Sequence, residues 1–319
     1  MKVVLAGPTA AGKSAIALLL AEKLGGEIIS VDSMQVYRGL DIGTAKPTAQ
    51  ERSRVPHHLI DVVEPSERFD AAQFVQLAAQ AMVDIQSRGR VPILCGGTGL
   101  YFKAVLEGLG QAPPADPVLR AELYATPLER LLLELAERDP QTYERIDRRN
   151  PRRIIRAIEV LRLTGRPLSP QRRAWEQSPA TPPPAAFCLT RPADELRQRI
   201  DARVDRMFRE GLVAETERLL EAGLAEHPIA MQALGYRQVV EHLSGVRSLA
   251  ETVELVKLRS RQFAKKQLTW FRRQMRLTWI TARPGQSDRE MAELLAGALA
   301  PVISSGRRSS GGSPSPSSP

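Results

Sequence analysis

Residues 1–35 read MKVVLAGPTAAGKSAIALLLAEKLGGEIISVDSMQ. The opening apolar run, Met1 to Ala6, suits a central parallel strand, and it passes directly into Gly7-Pro8-Thr9-Ala10-Ala11-Gly12-Lys13-Ser14. That octapeptide fits GxxxxGK[ST], the phosphate-binding P-loop. The glycines let consecutive backbone N–H groups turn inward around phosphate oxygens, and Lys13 adds a point charge. The Ser14 hydroxyl is placed to hold Mg2+, while the helix that follows aims its positive end at the same anion. A glycine turn beside an ordinary surface lysine is the competing reading, and the flanking strand and helix argue against it. A second strand, Glu27 to Val31, delivers Asp32-Ser33-Met34-Gln35 at its carboxyl end. In a parallel α/β sheet ligands sit at that edge, so Asp32 faces whatever the P-loop holds. A carboxylate there serves as a Mg2+ ligand, a helix cap or a base, and the residues alone do not choose among them.

The 319-residue chain is 43% hydrophobic, enough for one large core or two modest ones. No apolar run approaches the roughly twenty residues of a membrane span, and the chain starts inside a strand, so neither a leader nor a membrane anchor is expected and the cytoplasm is the expected location. The two cysteines, Cys95 and Cys188, lie on apolar runs far apart and are expected to be reduced, buried and inert. His57-His58 has no partner motif for a metal and is expected to be structural. Forty-five basic against 36 acidic residues leave a net charge of +9, which favours a polyanionic partner if the basic residues cluster.

Beyond Asp32, Val36 to Thr48 (VYRGLDIGTAKPT) has no lasting period and reads as a functional loop. Leu59 to Val63 suggests a short strand, and Asp70 caps a helix that ends near Arg88. Val91 to Cys95 suggests a core strand leading to Gly96-Gly97-Thr98-Gly99, so Thr98 falls on the same edge as Asp32. No acid ends that strand, unlike the usual Mg2+-holding partner of a nucleotide-hydrolysing P-loop. From Gln111 to Pro184 the pattern is all helical. Three helix starts carry a capping side chain followed by proline: Asp116-Pro117, Asp139-Pro140 and Asn150-Pro151. The third helix places Arg152, Arg153 and Arg156 on one side and Ile154, Ile155, Ile158 and Leu161 on the other. A solvated basic face is the simpler reading; Arg166, Arg172, Arg173 and Trp175 just beyond add basic charge and an aromatic and point to RNA. Ser248 and Glu251 open a long helix to about Gln274, with Lys257, Arg261, Lys265 and Arg272 on one stripe. Val253, Val256, Phe263, Trp270 and Phe271 form its buried stripe. Arg276 to Thr281 suggests a last strand, Ser287 caps a helix to about Val302, and the Ser/Gly/Pro-rich residues 304–319 are expected to be disordered. The expected fold is α/β: a P-loop NTPase-like parallel sheet flanked by helices (1–110 and 185–303) with an all-helical insertion (111–184).

Seven blocks together, GPTAAGKS, VDSMQVYRGLDIGTAKP, GGTGLY, NPRRIIRAIEV, RVDRMFREGL, QALGYRQ and RQFAKKQLTWFRR, resemble the tRNA dimethylallyltransferase family, also called tRNA isopentenyltransferases. The resemblance runs from residue 3 to about residue 281 and is to the compact bacterial form, without the zinc finger that eukaryotic members append. It implies transfer of a dimethylallyl group from dimethylallyl diphosphate to N6 of the adenosine directly 3′ of the tRNA anticodon, with release of diphosphate. It also implies that the P-loop, Gly7 to Ser14, holds the donor's diphosphate with Mg2+ at Ser14 and with Arg203, and that no ATP is consumed. Asp32 and Thr98 match the catalytic pair. Asp32 is expected to act as general base, Thr98 to orient the amine or the donor, and Ser33, Met34 and Gln35 to read the flipped adenine, with Asp32 and Thr98 also counted among the residues that meet the tRNA. The family's tRNA contacts fall on Arg152, Arg153, Ile154, Ile155 and Arg156, on Gln232, Ala233, Leu234, Gly235, Tyr236 and Arg237, and on Lys265, Lys266, Gln267, Leu268, Thr269, Trp270, Phe271 and Arg272, with Arg120 in addition. Of these, Ile154, Ile155, Leu234 and Leu268 are expected to pack. A monomer is expected. Three other readings compete: a small-molecule P-loop kinase, a prenyltransferase for free adenine nucleotides, and an RNA-binding nucleotide switch. The first two leave the insertion and its arginines without a task, and the third predicts RNA affinity without a product.

Overall fold

In the computed structural model, which describes residues 1–109, 113–167, 185–226 and 230–308, the apolar runs of the sequence become one sheet. Its strands are β1 (Val3–Ala6), β2 (Gly26–Val31), β3 (His57–His58), β4 (Val91–Gly96), β5 (Ala186–Thr190) and β6 (Thr278–Thr281). They lie in the order β3-β2-β4-β1-β5-β6, and every pairing is parallel. All residues of β1, β2 and β5 are buried, as strands covered on both faces must be. Because the strands run the same way, their carboxyl ends share one edge. The P-loop leaves β1 there, Asp32 leaves β2, Gly97-Thr98 leaves β4 and Arg191 leaves β5.

The helices in chain order are α1 (Lys13–Leu24), α2 (Ala49–Arg54), α3 (Ala71–Ser87), α4 (Gly99–Glu107), α5 (Pro117–Ala125), α6 (Leu128–Arg138), α7 (Pro140–Arg145), α8 (Pro151–Thr164), α9 (Ala193–Arg209), α10 (Leu212–Glu221), α11 (Tyr236–Leu243), α12 (Leu249–Gln274) and α13 (Asp288–Arg308). Ile16, Ala17 and Leu20 of α1 share one core cluster with Met291, Ala292, Leu295 and Leu299 of α13. Asp70 caps α3 through the Ala72 and Gln73 amides, and Ser248 with Glu251 closes a capping box on α12. Among the described residues no helix is long and apolar enough to cross a membrane.

Three expectations change. Leu59 to Val63 is not a strand: β3 is His57–His58, and Leu59 and Asp61 take φ of 60° and 55°. The turn brings Asp61 onto the buried Lys46 ammonium at 2.5 Å, which also donates to Tyr37 O at 2.6 Å. A buried ammonium has to be paired, and that need overrides a short apolar run. The last helix continues past Val302 and Ser304 to Arg308; residues 309–319 lie outside the described residues, as do Arg172, Arg173, Trp175 and Pro182 to Pro184. The third change concerns α12 and is taken up with the site. The histidine pair is structural: His57 Nδ1 is 2.7 Å from Val55 O, and His58 Nε2 is 2.6 Å from Glu27 Oε2.

The chain divides into two compact units, one made of residues 1–102 and 180–319 and the other of residues 103–179. The smaller unit begins at Lys103, inside α4, rather than at Gln111. Its helices start as the proline pattern demands, with Asp116, Asp139 and Asn150 each accepting a backbone N–H of the first turn. Ile154, Ile155, Ile158 and Leu161 of α8 join Leu123, Leu131 and Leu135 in its core. Among them Glu159 is 0% exposed. It accepts from Arg120 at 2.8 Å, from Arg156 at 2.5 Å and from the Asp116 amide at 3.0 Å. Burial pushes its carboxyl upward, but the bonds from Arg156 and Arg120 outweigh this and hold it below its usual 4.5. A depressed acid stabilises the folded state above its unfolded value and loses that contribution as pH falls through the folded one. Glu159→Ala is therefore expected to lower the unfolding free energy by about 3 kcal/mol at neutral pH. The gap to wild type should narrow below pH 4.5; urea unfolding of both proteins across pH checks it, and a gap that stays constant in acid would remove the ion-pair account.

Candidate active site

The P-loop takes backbone angles that few residues tolerate. Gly7 has φ 150° and Gly12 φ 94°, and a Cβ on Gly7 would stand 2.3 Å from Leu189 O. Ala10, with φ 62°, holds a left-handed conformation without being glycine. Lys13 is the first residue of α1, and its ammonium turns back into the loop to donate to Pro8 O at 2.6 Å. Loss of solvent, aided by the nearby Arg203, lowers its pKa to about 8 against the upward pull of Cys95 and Asp32. The loop thus presents a positively charged, partly desolvated ammonium in front of the α1 N-terminus, an arrangement suited to an anion. Ser14 lies on the cleft wall next to Lys13.

Asp32 stands at the end of β2. Its Oδ1 accepts from Met34 N at 2.8 Å and, at longer range, from Gln35 N at 3.4 Å. These amides fix the carboxylate's orientation, and among the described residues Oδ2 has no hydrogen-bond partner. Thr98 reaches across from β4: its Oγ1 accepts from Ser33 N at 3.1 Å, and its own N–H donates to Val31 O at 3.2 Å. Thr98 therefore sets the peptide next to Asp32. Arg203, on α9, completes the charged floor; burial lowers its pKa and the charge of Asp32 opposes that. Its Nη2 lies 3.5 Å from Thr44 O.

One side chain ties the P-loop to the loop that leaves β4. Gln267, 8% exposed on α12, accepts from Thr9 N at 2.9 Å and donates to Gly97 O at 3.0 Å. A Cβ on Gly97 would meet its Nε2 at 2.3 Å, and one on Gly99 would meet the Trp270 ring at 2.1 Å. Phe271 is buried edge-on to Phe102, and Leu268 packs beside Leu196, Ile200 and Ala10. Within the block Lys265 to Arg272, then, Gln267, Leu268, Trp270 and Phe271 build the site. Lys265, Lys266, Thr269 and Arg272 are exposed, and Arg272 lies over the Trp279 ring at 5.2 Å.

Other predicted residues also change character. Gln35 has no free amide for a base, because its Oε1 accepts from Ser30 Oγ at 2.8 Å and its Nε2 donates to Thr44 O and Ala45 O at 3.1 and 3.2 Å. Tyr236 is buried, donating to Glu215 Oε1 at 2.6 Å and accepting from Gly43 N at 3.2 Å, so it holds the Leu40–Ala45 loop rather than facing RNA. Gly235 starts α11 at φ 106°, and Arg237 is exposed and paired with Glu241. Gln232, Ala233 and Leu234 line the cleft, together with Ser33 and Met34. In the smaller unit Arg120 and Arg156 are bound to Glu159, Ile154 and Ile155 are core, and Arg152 and Arg153 are exposed. On α12, Lys257 and Arg261 are paired with Asp205 and Asp201, which shortens the expected basic stripe. Phe263 is the third change: it is 45% exposed and lines the cleft instead of lying in the core.

The resulting cleft encloses about 370 Å³. Lys13, Asp32, Thr98 and Arg203 form its polar floor, while Ile200, Val204, Met207, Leu234, Val256 and Phe263 form an apolar wall. That wall escaped the sequence reading. Ile200, Val204 and Met207 have helical spacing, which signals a buried face without saying that a ligand covers it. Cys95 also reaches the cleft, but burial pushes its thiol up to about 11, and that of Cys188 to about 12, so neither is a thiolate at neutral pH.

A family model described as IPP transferase matches residues 35–274. The chain belongs to the IPP transferase family. It is 50% identical over 282 residues to tRNA dimethylallyltransferase 1 of Trichlorobacter lovleyi, covering 87% of this chain and 92% of the relative. It is 47% identical over 290 residues to tRNA dimethylallyltransferase of Geobacter metallireducens, covering 90% and 94%. Among solved structures it matches the tRNA isopentenylpyrophosphate transferase from Bacillus halodurans with a TM-score of 0.66 and 40% identity, covering 96% of this chain and 98% of that one. It matches a eukaryotic dimethylallyltransferase acting on tRNA with a TM-score of 0.76 and 27% identity, covering 97% and 79%. In this IPP transferase a P-loop ammonium and Arg203 face an apolar wall across the cleft, a combination that phosphoryl transfer does not need.

Thr98→Val should lower kcat by about ten-fold, since it removes one hydrogen bond that orients the Asp32 turn. Thr98→Ser should restore most of it. Steady-state rates with both substrates saturating check this, and equal rates for the valine and serine variants would mean that the hydroxyl does not act.

Proposed function

We propose that the chain transfers the dimethylallyl group of dimethylallyl diphosphate to N6 of the adenosine directly 3′ of the anticodon in tRNA, releasing diphosphate. The observation that carries this reading is the cleft itself, where a P-loop ammonium and Arg203 stand beside an oriented carboxylate and face an apolar wall. The P-loop amides, Lys13 and Arg203 bind the donor's diphosphate. The five-carbon group lies on the wall of Val204, Met207, Leu234 and Phe263. As the allylic C–O bond breaks, negative charge grows on the leaving diphosphate, and the fixed positive groups stabilise it most at that point. The N6 lone pair forms the new C–N bond, and the proton it must shed passes to Oδ2 of Asp32. Water is kept from the allylic cation by the same apolar wall.

The Ser14 hydroxyl fits a Mg2+ ion bound mainly through substrate phosphates and water, the way this ion is usually held. No group of three or more His, Cys, Asp or Glu side chains suited to a metal occurs among the described residues. When bound, the ion neutralises charge on the diphosphate. For tRNA, the exposed Lys265, Lys266, Thr269, Arg272 and Arg273 of α12 and the exposed Arg152 and Arg153 of α8 are the phosphate-binding candidates. Within the smaller unit Arg120 and Arg156 are further candidates, with guanidinium groups held in place by Glu159. The enzyme works as a cytoplasmic monomer in this reading.

Mass spectrometry of tRNA incubated with the protein, Mg2+ and dimethylallyl diphosphate, with ATP left out, should find one dimethylallyl group on that adenosine. An absolute need for ATP hydrolysis would overturn the reading in favour of a kinase. Asp32→Asn should cut the single-turnover rate by about 10²–10⁴-fold while both substrates still bind. Recovery of near-native rate at high Mg2+ would show that Asp32 serves the metal instead.

A further inference from the structure

Against the P-loop, outside the lining of the cleft, lie two arginines and an acid that none of the motifs includes. Arg199 Nε donates to Ala10 O at 3.1 Å, and Arg191 Nε donates to Ala11 O at 3.1 Å. Both guanidinium groups converge on Asp288, in the first turn of α13. Arg199 Nη2 reaches its Oδ2 at 3.1 Å, and Arg191 Nη2 bonds its Oδ1. Arg191 is 4% exposed and is held further by Glu195 Oε1 at 2.6 Å and Gln286 O at 2.9 Å. The Asp288 carboxylate presses on the loop itself, since a Cβ on Gly12 would stand 2.3 Å from its Oδ1. None of the three residues lines the cleft.

We infer that Arg191, Arg199 and Asp288 are positioning residues that set the peptide planes of the P-loop for the donor's diphosphate. In a trans peptide the C=O and the following N–H point to opposite sides, and the described chain has no cis bonds. Holding the Ala10 and Ala11 oxygens outward therefore turns the Ala11 and Gly12 N–H groups inward, where phosphate oxygens are bound. In this structure Ala11 N donates to Pro8 O at 3.4 Å, the oxygen that also receives Lys13, which puts this N–H on the Lys13 side of the loop. The same two anchors hold Ala10 at φ 62°, a conformation an alanine leaves unless its surroundings maintain it. Asp288 makes the pair of arginines one rigid unit and places the start of α13 against the loop, so the last helix contributes to substrate binding without touching substrate. With Asp288 and Glu195 present, two cations face two anions, and the cluster acts through geometry rather than through net charge.

This inference rests on the reading of the P-loop as the diphosphate site, and Asp288→Asn separates a geometric role from an electrostatic one by sign. Removing a negative charge from beside an anion site tightens anion binding if charge is what matters. Loss of positioning weakens it. Calorimetric titration of the full-length protein with inorganic diphosphate and with dimethylallyl diphosphate, in the presence of Mg2+, should give a Kd raised by about ten-fold for Asp288→Asn. KM for the donor should rise with kcat little changed, and tRNA affinity should stay at the wild-type value. Arg199→Lys keeps the charge and loses the fork that spans Ala10 O and Asp288, so it should weaken diphosphate binding similarly. If either variant fails to fold, as circular dichroism would reveal, the other decides. Unchanged or tighter diphosphate binding overturns the inference, as does an equal loss of tRNA affinity, which marks general damage. Wild-type protein that binds neither diphosphate would instead overturn the reading of the P-loop on which the inference stands.

Discussion

Lys13, Arg203 and Asp32 stand in mutual electrostatic reach at one edge of the sheet, and much of the larger unit exists to keep two cations and one anion together in a half-dry cleft. Bare charges repel burial, so each has to be balanced by its neighbours or by backbone dipoles. Desolvation brings Lys13 down to about 8, which makes it a donor eager for an anion. Asp32 is restrained by the amides of its own turn through Oδ1, and among the described residues its second oxygen has no hydrogen-bond partner.

The parallel sheet supplies this arrangement because its strands all end at the same edge. The loops leaving β1, β2 and β4 are then locked to each other by single polar contacts: Thr98 to Ser33, and Gln267 to both Thr9 and Gly97. Helix α12 does two jobs at once. Gln267, Leu268, Trp270 and Phe271 face the loops, and the basic residues on either side of them, Lys265, Lys266, Arg272 and Arg273, face solvent, so a macromolecule gripping the outer face touches the helix that braces the P-loop. The apolar wall from α9 and α12 adds the chemical bias, since it suits a hydrocarbon and excludes the water that would quench an allylic cation.

Much of this was legible in the residue order. The P-loop, Asp32 at a strand end, Thr98 on the same edge, the capped helices of the smaller unit and the basic segments all follow from local rules of turn, cap and period. Gln35 and Tyr236 look like surface-reading side chains in sequence, and only their partners show them tied into the fold, while Arg120 and Arg156 prove to be held by a buried acid, because Ser30, Glu215 and Glu159 are remote in the chain or hidden by a period that reads as ordinary. Phe263 goes the other way, an aromatic on an apolar stripe that ends up on the cleft wall.

The sequence by itself determined the fold class, the anion loop and the acid facing it, since each depends on contacts within a few residues or on strand direction. Tertiary structure alone decided which of the many arginines stand exposed and which pair with buried acids. It also decided that Arg191, Arg199 and Asp288 meet against the P-loop. The physical reason is distance along the chain: Arg191 is bonded to Ala11 across 180 residues and to Asp288 across 97. Ion pairing of this kind has no period and no motif, and it exists only once the sheet has brought β1, β5 and the last helix together.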